Sequence, residues 1–353
     1  MRLDLTQDVA ALTRAIVDIE SVSGNERALA DAIEEALRAL PHLTVERDGD
    51  TVVARTAQGR AERVVIAGHI DTVPVNRNLP SRVEGDRMYG CGTGDMKAGV
   101  AVQLKLATLT ETNRDVTYFF YECEEIEESR NGLKRIGDTR PELLESDFAV
   151  LMEPSGGIVE GGCQGTIRID VTVPGERAHS ARSWMGSNAI HNAGVVLDVL
   201  RSYEPRRPVV DGLEFREGLN AVFVRGGVAG NVVPDECVVT VNYRFAPDRS
   251  IEDAEKHLRE VFDGFEVTVV DGAPGARPGL THPAAAAFVE AIGGESVARA
   301  KLGWTDVARF SALGIPAVNF GPGEPSLSHT REEYVEISRI FASEERMRAW
   351  LTA

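Results

Sequence analysis

Seven side chains suited to hydrolytic or metal chemistry recur at one kind of place, just past an apolar run. His69 and Asp71 end "RVVIAGHIDTVP", and Asp95 lies in the glycine-rich "YGCGTGDMKAG". Glu124 and Glu125 follow "VTYFFYEC", Glu153 ends "FAVLME", and His329 sits in "GPGEPSLSHT". A strand alternates its faces, so His69 and Asp71 point the same way with Ile70 between them. Burying an imidazole with a carboxylate is costly unless they pair with each other or with a third group. Taken alone, the pair reads either as a hydrogen bond closing a strand end or as part of a metal site. Acids and imidazoles converging in such numbers cannot all be charged without a compensating cation. Oxygen and imidazole donors without thiolate suit zinc, cobalt or manganese. A single Asp between two histidine-bearing half-sites would bridge two metals about 3.5–4 Å apart.

The elements that would position these residues alternate along the first half of the chain. A helical pattern runs from Leu5 to Ile19, and Ser23 in "SVSGNE" is expected to cap a second helix reaching about Leu40. "TVERDG", "TVVART" and "RVVIAGHIDTV" read as strands, followed by the glycine-rich loop and a helix from about Ala98 to Leu109. "VTYFFYEC" and "DFAVLMEP" are further strands. Apolar strands separated by helices predict an α/β domain with a buried sheet, whose strand ends converge on a ligand crevice.

After Gly165 the pattern changes. The alternating strand "TIRIDVTVPG" is followed by a helix near Ser187–Ser202 and strands near Asn220–Val228 and Glu236–Phe245. A helix at about Ile251–Phe262 and the strand "FEVTVV" complete a β-α-β-β-α-β order, the ferredoxin-like split unit. Helix and strand then alternate again, ending in a helix from about Arg331. The economical organisation is one α/β domain built from residues 1–166 and 279–353, with a smaller α+β domain inserted at 167–278.

Composition narrows the function. A formal charge of −17 repels phosphate backbones, which argues against a nucleic-acid partner. No window approaches 18 uninterrupted apolar residues, so no membrane span is expected. Cys91, Cys123, Cys163 and Cys237 form no CxxC pair and read as reduced thiols of a cytoplasmic protein. "GCGTGDMKAG" lacks the Lys-Ser/Thr ending of a phosphate-binding loop, and its Asp falls where a phosphate would be repelled.

Together "GHIDTVP", "YGCGTGDMKAG", the acid pair after a strand, "MEPS", "AHSAR" and the late "SHT" resemble the M20 family of dinuclear zinc peptidases and deacylases. The resemblance implies a zinc-peptidase-like α/β catalytic domain with a mixed central sheet. It also implies that the inserted ferredoxin-like domain serves as lid and dimerisation module of a homodimer. His69, Asp95 and Glu153 would hold one divalent ion; Asp95, Glu125 and His329 would hold the other, with Asp95 bridging. Zinc is the expected metal, and cobalt the substitute. Asp71 would orient the His69 ring, and Glu124 would be the general base, taking the proton of the attacking water. His179 in "AHSAR" would reach the partner's site to stabilise the oxyanion. Many family members have Asp where this chain has Cys123, and "EEIEE" offers a second acid pair, Glu127 and Glu128. The Glu124–Glu125 register is preferred because it falls directly at the strand end. His42, His191, His257 and His282 have no motif around them and read as structural.

Within the family the closer resemblance is to the succinyl-diaminopimelate desuccinylases of high-GC Gram-positive bacteria. Acetylornithine deacetylase, or another acyl-amino-acid hydrolase or carboxypeptidase, is the alternative. The implied substrate is a small anionic acyl-amino acid, for which Arg244 in "NYRF", Asn231 in "GNVVP" and Arg182 are the expected binding residues. Gln164 in "CQGT" stands where some desuccinylases carry Arg, which leaves the shape of the pocket open.

Overall fold

Asp8 opens the first helix. Its carboxylate accepts the N–H of Ala11 at 2.8 Å, so α1 (Val9–Val17) starts four residues later than the apolar pattern suggests. The computed structural model describes residues 2–293 and 298–353. Helix α2 (Arg27–Arg38) is not capped by Ser23, because that hydroxyl is drawn to the buried Asp71 carboxylate instead. A buried acceptor left unmade costs more than a helix end that water can satisfy.

The hairpin β1 (Thr44–Asp48) and β2 (Thr51–Arg55) turns at Gly49, whose φ of 60° a side chain would resist. There follow β3 (Arg63–His69), the short β4 (Arg82–Glu84) and β5 (Arg87–Tyr89), α3 (Ala98–Leu106), β6 (Asp115–Tyr121), α4 (Gly132–Thr139), β7 (Phe148–Leu151) and β8 (Val159–Gly161). Two compact units divide the chain, the first comprising Met1–Gly161, Gly279–Arg299 and Thr305–Ala353.

The second unit is Gly162–Pro278 with Ala300–Trp304. It therefore begins five residues before the position expected from sequence, and it includes a segment that sequence reading left in the first. Its elements are β9 (Gly165–Pro174), β10 (Ala178–His179), α5 (Ala189–Asn192), α6 (Gly194–Ser202), β11 (Val209–Val210), β12 (Leu213–Glu214), β13 (Gly218–Gly226), β14 (Val232–Val233), β15 (Glu236–Phe245), α7 (Ile251–Val261) and β16 (Glu266–Ala273). The helix expected at 187–202 is thus two pieces, joined at Ala193. The four-stranded antiparallel sheet has the order β13-β15-β9-β16, the spatial order of a split β-α-β-β-α-β unit. Along β9 the residues Ile167, Ile169, Val171 and Val173 are buried in alternation and join Val239, Val241 and Leu258 in a core of their own.

The chain returns through α8 (Pro283–Ile292), β17 (Ala298–Ala300), α9 (Val307–Ala312), β18 (Ala317–Asn319), β19 (Tyr334–Glu336) and α10 (Ile337–Thr352). The closing helix starts six residues later than expected. Residues before it form a turn and then β19, which pairs with β5. The main sheet has the order β1-β2-β6-β3-β7-β18-β8-β17. Strands β6, β3, β7 and β18 run parallel, flanked by antiparallel neighbours, so the sheet is mixed. Helix α3 is buried almost throughout, and a Cβ on Gly99 would collide with the Met152 carbonyl at the end of β7. α8 and α10 pack Phe288 edge-to-face on Trp350 at 4.8 Å, and both rings lean on Phe148. Burying each such side chain contributes roughly 1.5–3 kcal/mol. Four parallel strand ends are thereby held rigidly on one edge of the sheet, where the candidate residues lie.

Candidate metal centre

His69 is the last residue of β3, and Tyr121, its partner in register, ends β6. The acid pair begins three residues past β6, Glu153 lies two residues past β7, and the segment after β18 leads to His329. Asp95 comes from the turn between β5 and α3, where its extended backbone (φ −117°, ψ 94°) and the non-helical Met96 interrupt otherwise helical residues.

The Asp95 carboxylate lies between two imidazoles. Its Oδ1 is 3.2 Å from His69 Nε2, and its Oδ2 is 3.7 Å from His329 Nε2. His329 Nε2 is also 3.0 Å from Glu125 Oε1. Donor atoms of His69, Asp95 and Glu153 lie within 4.8 Å of one another, as do those of Asp95, Glu125 and His329. A third group within the same limit is His69, Glu124 and Glu125. His329 has φ 64°, a left-handed conformation uncommon for a non-glycine residue and typical of constrained functional positions.

Asp71 does more than was read from sequence. The His69 Nδ1 lies 3.1 Å from the Asp71 carbonyl oxygen and 3.4 Å from its carboxylate, so both oxygens orient the ring. The carboxylate also accepts the N–H of Glu124 at 3.0 Å, the N–H of Glu125 at 3.1 Å and the Ser23 hydroxyl at 2.7 Å. One residue earlier, Cys123 adopts φ 58° and donates its N–H to Glu26 at 3.2 Å. Two buried carboxylates thus hold three consecutive N–H groups and set the turn that presents the acid pair. Glu127 and Glu128 lie farther along this loop, and exposed Glu128 pairs with Arg309 at 2.9 Å.

Electrostatics follow from this crowding. Burial would lower the His69 pKa, but hydrogen bonds to Asp71 and Asp95 prevail and raise it well above 6.5. The hydrogen bond to Glu125 raises His329 to about 9. Burial pushes Glu124 well above the usual carboxylate range, with Glu153 and Glu125 adding to the effect against His69. Glu125 rises through burial and the neighbouring Asp95. Asp71 is lowered: burial opposes ionisation, but His69 and Ser23 outweigh it. Five carboxylates (Asp71, Asp95, Glu124, Glu125 and Glu153) face two imidazoles, an excess of negative charge that a divalent cation would neutralise. The donor set contains no thiolate and fits hard or borderline divalent metals.

Three contributors were not found from sequence. Ser23 fits a helix-cap pattern in the sequence, and Glu26 belongs to no motif. Glu333, four residues past His329, is buried and accepts the N–H groups of Gly92, Gly94 and Asp95. Its only sequence signal was an acid shortly after a candidate ligand.

In the second unit, His179 pairs with Val232 and its Nδ1 accepts the N–H of Ala181 at 3.0 Å. The Asn231 carbonyl accepts the N–H of Ser180 at 2.9 Å, and Arg182 lies in the same short 3₁₀ segment, Ser180–Met185. His179, Asn231 and Arg182 therefore share one loop cluster. Arg244 does not join it. It lies near the far end of β15, where its Nε donates to the Asn242 side chain at 3.2 Å. Eight residues of strand separate Glu236 from Arg244, about 26 Å at the usual strand rise. The Gln164 amide is buried and donates to the Arg216 carbonyl at 2.5 Å. Three of the remaining four histidines have structural partners: His42 contacts the Ala107 carbonyl, His257 the Tyr203 hydroxyl, and His282 caps α8.

Comparison with known proteins decides the family, since the model of peptidase family M20/M25/M40 matches residues 65–352. The chain belongs to this family. It is 51% identical to the succinyl-diaminopimelate desuccinylase of Corynebacterium glutamicum, over 96% of this chain and 94% of that protein. It is 54% identical, over 99% of both chains, to a Mycobacterium tuberculosis protein that carries the same name provisionally. Among solved structures, a Staphylococcus aureus tripeptidase superposes with a TM-score of 0.78 at 22% identity, covering 99% of this chain and 98% of that one. A Bacillus subtilis protein described as a dinuclear metal binding peptidase of the M20 family superposes at 0.72 with 17% identity, covering 97% and 96%. The enzyme is a hydrolase of amide bonds with the α/β, mixed-sheet fold of its family. Among the described residues, no helix is long and apolar enough to cross a membrane.

Proposed function

We propose that this enzyme hydrolyses N-succinyl-LL-2,6-diaminopimelate to succinate and LL-diaminopimelate, using two divalent metal ions, zinc first among them. The observation that carries the reading is the Asp95 carboxylate set between two imidazole-containing triads with Glu124 alongside. The named substrate comes from the 51% identity to the C. glutamicum desuccinylase.

In this reading His69, Asp95 and Glu153 hold one ion, and Asp95, Glu125 and His329 hold the other. When bound, such ions polarise a carbonyl and acidify water. The protein's own groups do the rest. Asp71 fixes the His69 ring with Nε2 facing Asp95, and its grip on two N–H groups aims Glu124 and Glu125. Glu124 takes a proton from the water that attacks the succinyl amide carbon, then delivers it to the departing amine nitrogen as the C–N bond breaks. His179 donates to the oxygen that gains charge in the transition state.

Arg244, Asn231 and Arg182 supply the local cations and dipoles that an acidic enzyme needs to hold an anionic substrate. Arg244 lies near the Phe245 end of β15, whereas the His179–Asn231 cluster lies at the separate β10-β14 pair that precedes the Glu236 end, too far away for both to meet on one small molecule. The proposal therefore has a homodimer through the second unit, each copy lending His179 and Asn231 to a site whose Arg244 comes from the other. β13 is suited to such an interface, because it is an edge strand with Phe223 and Val224 exposed. The expected result is that His179→Ala and Arg244→Ala are each nearly inactive, while mixing and re-equilibrating the two partly restores turnover. No recovery on mixing would remove the shared site.

The substrate is tested by hydrolysis of N-succinyl-diaminopimelate beside N-acetylornithine at matched concentrations. A strong preference for the succinyl compound is expected. Preference for acetylornithine would keep the chemistry and replace the substrate.

A further inference from the structure

We infer that Glu333 is a positioning residue that sets the spacing between Asp95 and His329, and so governs the second of the two metal subsites. The inference rests on the two-metal reading above and deepens it. The Glu333 carboxylate is buried, with Oε2 accepting the Gly92 N–H at 3.0 Å and Oε1 accepting those of Gly94 at 2.8 Å and Asp95 at 3.0 Å. Three donors on one carboxylate fix both the position and the orientation of the turn that carries Asp95. The same residue's backbone joins the two segments again, because its carbonyl accepts the N–H of Gly90. Immediately after it, β19 pairs with β5, which leads into the Asp95 turn. Gly323, earlier in the segment that bears His329, also abuts the Gly94 carbonyl so closely that a Cβ there would collide with it. The turn is thus clamped between two parts of the segment that bears His329.

This arrangement treats the two subsites differently. His69 ends β3 and Glu153 follows β7, so both are held by the parallel core of the sheet. His329 is held in a left-handed loop conformation four residues before Glu333, and its approach to Asp95 depends on the clamp. Asp95 serves both subsites, so loosening the clamp disturbs both, but the first keeps His69 and Glu153 on strands while the second draws Asp95 and His329 from the two clamped segments and loses more.

The test is titration of metal-free protein with Co(II), followed by visible absorbance and by metal content after gel filtration. Wild type takes up two equivalents. Glu333→Gln keeps the shape but turns an N–H donor towards the backbone N–H groups, and it should weaken the first equivalent much less than the second. The second should weaken about 10–100-fold, as when a group supporting a ligand is lost. Glu333→Asp keeps the charge with shorter reach and should give a smaller loss at the same equivalent; it serves as the test if the Gln variant does not fold. Native affinity for both equivalents in either folded variant, or equal weakening of both, would overturn the role of Glu333. Fewer than two equivalents in wild type would instead overturn the two-metal reading.

Discussion

Glu124→Gln should lower kcat by about 10²–10⁴-fold, roughly 3–6 kcal/mol of transition-state stabilisation, while metal content stays at the wild-type level. The amide has the size of the carboxylate and leaves the Glu124 N–H to Asp71 bond intact, so the turn is preserved. Only the capacity to take and return a proton is removed. KM should change little, because the group acts on the transition state and not on the bound ground state. Glu127→Gln is the control, since that residue lies past the strand end on a loop whose neighbour Glu128 is exposed and paired with Arg309. Steady-state kinetics and metal analysis on both variants check the result. Turnover that survives Glu124→Gln and vanishes in Glu127→Gln would shift the base by three residues.

Asp95→Asn should have an effect of at least similar size by a different route. Asp95 belongs to both triads, and its two oxygens face the two imidazoles separately. The amide keeps one acceptor, loses the negative charge and turns a donor towards one imidazole side. Neither subsite retains its charge balance, so uptake of both ions should fall together, with kcat/KM reduced on the order of 10³-fold or more. Thermal denaturation separates this from a general defect. A ligand that binds only the folded state at about 100 times its Kd adds about 2.7 kcal/mol of stability. Chelator should therefore lower the melting temperature of the wild type and leave that of Asp95→Asn unmoved. A variant that still responds to chelator, with full activity, would show that Asp95 is not shared between the ions.

The two variants separate what Glu124 and Asp95 do although both are carboxylates in one cluster. Burial and its acidic neighbours push Glu124 up, whereas Asp95 has an imidazole on each side. In the proposed reading, these environments suit one to the handling of protons and the other to the holding of cations.

The sequence by itself determined the alternation of elements, the inserted β-α-β-β-α-β unit and the identity of the clustered residues. These are local signals: β9 alternates buried and partly buried positions as its apolar period requires, and β3, β6 and β7, apolar in most positions, are buried almost throughout as parallel strands covered on both faces are. Candidate ligands fell at strand ends, and parallel strands bring such ends together irrespective of their distance along the chain. What only the tertiary structure decided was which groups hold those ligands in place. Ser23 follows a helical cap pattern, but the buried Asp71 carboxylate, 48 residues away, is the stronger claim on its hydroxyl. Glu333 looked like one acid among several before a closing helix, yet β19 intervenes and folds its carboxylate onto three N–H groups some 240 residues earlier. The separation of His179, in the β10-β14 pair, from Arg244, near the far end of β15, likewise depends on strand direction and pairing. Buried polar groups take whichever partners the packed chain brings within hydrogen-bonding distance. Those partners are distant in sequence, so no local pattern records them.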